Sequence, residues 1–203
     1  IFIAFSNLFS QYKGSVSKAE SSLNKVEIKG TDEERRELLL IAKGEIDVAI
    51  TIEKNISKAR TWFVRGNVYA AIAKGYLDID PLAVEKSIEA FNKVGSDEAK
   101  TNDITMIQNT NIGIQNLSSY FVNQAVYALQ GSENPNFSKA LDEFQNSLKI
   151  NPNDTLGLLY GGYVAEHLFL LLRNKQTNGF VAYSTHDVFR ANVPTLAHVL
   201  CGR

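Results

Sequence analysis

A nine-residue pattern occurs twice in the chain, 58 residues apart. Trp62-Phe63-Val64-Arg65-Gly66-Asn67-Val68-Tyr69-Ala70 is echoed by Tyr120-Phe121-Val122-Asn123-Gln124-Ala125-Val126-Tyr127-Ala128, with five identities and one aromatic exchange. Each copy precedes a loop and a second amphipathic segment, Ser87-Ile88-Glu89-Ala90-Phe91 in the first and Ala140-Leu141-Asp142-Glu143-Phe144 in the second. A recurring two-helix unit cannot bury its apolar face alone, so neighbouring units must cover one another.

The rest of the chain has helical apolar spacing. Ser15 to about Val26 places Ala19, Leu23 and Val26 on one face. Thr31 with Glu34 forms a capping box, and acidic residues follow it where the helix end is positive. That helix is predicted to reach Glu53. Ser57 is the expected cap of the next, which runs through Trp62 to about Ala73. Asp80-Pro81 opens another that ends at Gly95. Residues 96–104 read as loop, and a long helix runs from Ile107 or Ile112 to Gln130. Helices over Ser138–Ile150 and Thr155 to about Leu172 complete an all-α chain of paired antiparallel helices.

The pattern resembles the tetratricopeptide (TPR) repeat, W-x₂-L-G-x₂-Y followed by A-x₃-F and a proline. Trp62, Gly66 and Tyr69 match its first helix, and Phe91 its second. In the next copy Tyr127, Ala140, Phe144 and Pro152 match, and Gly162 falls in place in a third. Arg65 stands where the family prefers Leu, and Gln124 replaces the small Gly. The resemblance covers about residues 15–166. It implies a TPR-like α-solenoid of about three repeats with a divergent C-terminal tail, similar to secreted or periplasmic TPR proteins of Bacteroidota-type bacteria. It also implies that Trp62, Gly66, Tyr69, Phe91, Tyr127, Ala140, Phe144, Pro152 and Gly162 are packing positions.

TPR arrays bind a peptide or protein in a concave groove lined by their first helices. The resemblance then implies a non-enzymatic interaction scaffold. Its groove candidates are Arg60, Phe63, Asn67, Phe121, Asn123, Tyr163 and Glu166. Phe63 and Phe121 form a possible aromatic stripe, and Arg65 with Asn123 are possible hydrogen-bonding groups on its rim. The alternative is a structural accessory subunit of a cell-envelope complex.

Charge and residue counts narrow the classes. The net charge is −1, which excludes a bulk basic field for nucleic acid. The single Cys excludes an internal disulfide framework. No G-x-S-x-G, H-E-x-x-H or Walker loop is present, so no catalytic residue and no cofactor is expected. Asp78 and Asp80 flank a loop where a cation is conceivable, although Asp80 also suits a helix start.

The ends differ from the middle. Apolar residues 1–5 followed by 6–10 resemble a signal-peptide remnant, which implies export to the periplasm or outside the cell. No stretch approaches the length of a transmembrane span, the nearest being Leu168–Leu172. Residues 11–166 carry the repeat array at a net −4, whereas residues 167–203 carry +3, all three His and the Cys. This tail reads as a capping element, a partner-binding extension or a non-native reading frame. His198-x-x-Cys201 with His186, and Asp187 or His167 as a fourth ligand, is the sole metal-like grouping and gives a remote third reading, a metal-dependent module. No metal site is assigned.

Overall fold

Thr31 opens a helix as its chemistry requires, because its Oγ1 accepts the Glu34 N–H at 3.2 Å. Asn136 and Ser15 do the same for the Lys139 and Lys18 N–H groups, at 2.9 and 3.2 Å. The computed structural model describes residues 12–28, 30–130 and 135–177. The signal-like residues 1–10 and most of the tail, including His186, Asp187, His198 and Cys201, lie outside them.

Among the described residues there are eight helices and no strand, so the chain is all-α. In chain order they are α1 (Val16–Val26), α2 (Asp32–Ala49), α3 (Glu53–Ile56), α4 (Ala59–Ala73), α5 (Ala83–Lys93), α6 (Ile104–Gln130), α7 (Phe137–Ile150) and α8 (Thr155–Thr177). Several boundaries differ from expectation: α5 starts at Ala83, after the expected Asp80-Pro81, and α8 runs on to Thr177, past the expected Leu172. The helix expected to reach Glu53 stops at Ala49, and Glu53–Ile56 is a separate turn. The start of α4 is at Lys58, not Ser57, and no side chain caps it. The long helix begins at Ile104, where Asp103 accepts the Met106 N–H at 3.0 Å.

The chain divides into two compact units between Leu117 and Ser118, within α6. In the first, α1 packs on α2 and α4, α2 on α4, and α4 on α5. Trp62, Ala90 and Ala99 form one buried cluster, flanked by Ile50, Ile56 and Val94, and the Trp62 Nε1–H donates to the Ile56 carbonyl at 2.7 Å. At Gly66 the absence of a side chain lets α5 approach: a Cβ there would meet the Phe91 ring at 2.4 Å. Ser87 Oγ uses that proximity to donate to the Gly66 carbonyl at 2.9 Å.

In the second unit α7 packs against α8. Its core is Val122, Ala125, Ala140, Phe144 and Val164, with Leu141 and Leu168 against it. The Asp154 carboxylate accepts the Leu156 and Gly157 N–H groups, each at 3.0 Å, and the Ser118 hydroxyl at 2.8 Å.

Of the expected packing positions, Trp62, Gly66, Tyr69, Phe91, Ala140, Phe144 and Gly162 are buried. Tyr127 is not: it is 66% exposed. Pro152 is exposed too. The glycine whose Cβ would meet Phe144, at 3.2 Å, is Gly161, the neighbour of Gly162.

Candidate functional site

Buried charge distinguishes the first unit. Asp47 on α2 accepts from the Arg65 guanidinium on α4, from the Tyr69 hydroxyl at 2.8 Å and from Lys43 at 2.9 Å. Asp80, just before α5, accepts from Lys86 at 2.7 Å and from the Leu82 N–H at 3.1 Å. Arg65, Lys86 and Lys43 surround the Tyr69 ring at 4.7, 5.3 and 5.9 Å from its centroid, within cation–π range.

These contacts decide what the cluster can do. Burial, followed by the Asp47 charge, pushes the Tyr69 hydroxyl far above the ordinary tyrosine value, with Arg65 opposing. The phenol therefore stays a hydrogen-bond donor and offers no acid–base chemistry near neutral pH. Burial acts upward on Asp80, but the Lys86 and Leu82 hydrogen bonds outweigh it and hold the carboxyl below its usual value. The cluster is an internal brace joining α2, α4 and α5. Its carboxylates are occupied by protein cations, and Asp78 is likewise bonded to Arg36.

The expected groove residues fall into three environments. Arg60 is exposed and ion-paired with Glu20. Phe63 is half-buried, and so is Asn67, whose amide donates back to the Phe63 carbonyl at 3.0 Å. Phe121 is only 2% exposed, with Tyr120 edge-on to it, so it cannot pair with Phe63 in a surface stripe. Arg65 is buried in the brace, not on a rim, because Asp47 supplies its counter-charge. Asn123, Tyr163 and Glu166 are exposed.

Tyr163 belongs to a row the sequence reading did not assemble. Leu156, Leu159, Tyr160, Tyr163, Leu170 and Leu171 are all exposed on α8. Their spacing of three and four residues places them along one stripe of the helix. Leu159 and Tyr163 are 64% and 63% exposed. Gly157, Gly161, Val164 and Ala165 of the same helix are buried. Helical periodicity over 155–171 was the available signal, but apolar residues on both faces hid it. Thr155–Arg173 is long and apolar enough to cross a membrane by length and composition, with mean hydropathy 1.3 and 28% of the span buried. The sequence reading, which noted only Leu168–Leu172, missed this.

Among the described residues no group of three His, Cys, Asp or Glu side chains is placed to hold a metal ion. His167 lies between the rings of Phe137 and Tyr163, with centroids 4.3 and 6.4 Å away. The described residues define an all-α protein with packed helix pairs and an exposed apolar stripe on α8. No family model, curated protein or solved structure matches the chain.

Proposed function

We propose that the chain is a non-enzymatic, TPR-like scaffold that binds a protein or peptide partner along α8. The observation that carries this reading is the exposed stripe of Leu156, Leu159, Tyr160 and Tyr163, with Glu166 beside it. Contiguous exposed apolar surface of this kind marks interaction sites, and tyrosine is enriched at binding hot spots. An amphipathic helix is a suitable partner, because i, i+3, i+4 ridges on one helix seat in the grooves of another. Arg60 and Asn123 are polar positions outside the stripe.

A second reading, an accessory subunit held at a membrane, draws on the apolar span Thr155–Arg173. One experiment separates them. The full chain and its Leu159→Glu/Tyr163→Glu variant are used as baits for cross-linking capture and in flotation with lipid vesicles. Partner capture lost in the variant supports the scaffold, and vesicle flotation lost in the variant supports the membrane reading. Capture and flotation that are both unchanged would overturn the α8 surface.

A further inference from the structure

Residues 12–15 lead into α1 and form neither helix nor strand, yet Gly14 among them is buried. They lie against α2. At Gly44 the missing side chain makes room for the Tyr12 ring, which a Cβ there would strike. Gly14 takes a left-handed φ of +70°, and a Cβ on it would meet Ile52 at 2.7 Å and the Ala49 nitrogen at 3.1 Å. A glycine on each side therefore lets this irregular segment lie directly on the helix.

One carboxylate holds the segment there. Glu45 on α2 is only 1% exposed. Its Oε2 accepts the Lys13 and Ser15 N–H groups at 3.2 and 2.9 Å, and its Oε1 accepts from Lys18 Nζ at 2.8 Å. Among the described residues, those two N–H groups make the only main-chain hydrogen bonds from residues 12–15 to α2.

The arrangement has two satisfactory states. With the segment down, Glu45 is dry and needs all three donors, because a buried carboxylate short of partners is costly. With the segment lifted, Oε1 keeps Lys18, which sits on α1, and water reaches Oε2 in place of the two N–H groups. A half-lifted segment satisfies neither condition, so residues 12–15 move together. The helices beneath are tied differently: α1 packs on α2 and α4, and α4 on α5, through whole helix faces. Irregular backbone with few bonds belongs to the low-stability end of a structure, and packed helices to the other.

We infer that residues 12–15 form a latch on α2, which opens as a unit while α2, α4 and α5 stay folded and which the Glu45 carboxylate holds shut. Opening bares the notch at Gly44 that the Tyr12 ring fills. The latch is independent of the α8 surface and of the partner-binding reading.

The test is brief trypsin digestion of the full chain at neutral pH, followed by mass spectrometry. The Lys13–Gly14 bond cannot enter the protease while Gly14 is buried, so its cleavage reports the open population. Cleavage at Lys86, inside α5, reports wider unfolding. In the wild type the Lys13 bond should be cut at least about ten times faster than the Lys86 bond. Glu45→Gln leaves one side-chain carbonyl to serve either the two N–H groups or Lys18, and it turns an N–H donor toward the other. Lys13 cleavage should then rise about ten-fold, as for the loss of a hydrogen bond to a charged group, with Lys86 cleavage unchanged. Gly44→Ala is a check that leaves the charge alone. Its methyl group displaces the Tyr12 ring while alanine favours the helix over glycine, so Lys13 cleavage should rise several-fold with no gain at Lys86. Neither substitution alters the sequence that trypsin reads around Lys13. Equal wild-type rates at Lys13 and Lys86 would overturn the latch, since residues 12–15 would then open only with the whole unit. So would wild-type cleavage at Lys13 in both variants.

Discussion

Arg65 and Asp47 lie 18 residues apart and form an ion pair inside the first unit, beneath the hydroxyl of Tyr69. Removing one member of such a pair strands the other charge. Asp47→Ala should therefore destabilise the chain by about 3 kcal/mol, at the low end for buried pairs because the Asp47 side chain remains 21% exposed. Replacing both residues, as Arg65→Met with Asp47→Leu, should cost clearly less than the single change. Urea unfolding followed by circular dichroism checks both values, and equal losses would remove the brace from the stability account.

The approach of α4 to α5 depends on Gly66. A methyl group there would press on the Phe91 ring, so Gly66→Ala should cost about 1–3 kcal/mol by overpacking. Adding Phe91→Leu should recover part of the loss, a coupling that a double-mutant cycle measures.

Phe121 and Tyr127 exchange the roles implied by the repeat. Phe121→Ala should cost about 3–5 kcal/mol, as for other buried aromatic side chains. Tyr127→Ala should stay within about 0.5 kcal/mol, as for an exposed site. Thermal unfolding of the two variants is the measurement, and comparable losses would contradict the observed burial.

Glu45 makes stability depend on acid. Burial acts upward on its carboxyl, but the hydrogen bonds from Lys18 and the Ser15 and Lys13 N–H groups outweigh it and hold the value below that of an ordinary glutamate. A carboxylate depressed in the folded state stabilises above its unfolded value of about 4.3 and loses that contribution as pH falls through its folded value. The Tm gap between the wild type and Glu45→Gln should thus be widest near neutral pH and should close on acidification below about pH 4. A gap independent of pH would mean that the carboxylate charge plays no part.

Local chemistry was legible in the sequence where the deciding contact is a few residues away. Thr31 shows this: its cap partner Glu34 is three residues on. The all-α class follows from periodicity for the same reason, and the inward positions Trp62, Phe91 and Phe144 are those the repeat resemblance implies. Burial on the repeated segment was not legible. Gly66 admits α5 against its helix, whereas Gln124 in the second copy cannot permit the same approach, so identical residues meet different neighbours. Phe63 is half-buried while Phe121 is buried, and Tyr69 is buried while Tyr127 is exposed.

Asp154 gathers donors from three stretches of the second unit: Ser118, Ser147 at 3.4 Å, and the first turn of α8. Its Oδ1 takes the α8 N–H groups and its Oδ2 the two hydroxyls, so a single side chain ties the helix start to both serines. The start of α8 should therefore not fray independently, in contrast to an ordinary helix end. Amide protons of Leu156 and Gly157 should exchange with solvent only in openings that also free the Ser147 turn, giving this unit a single shared opening event where separate helices would have had several.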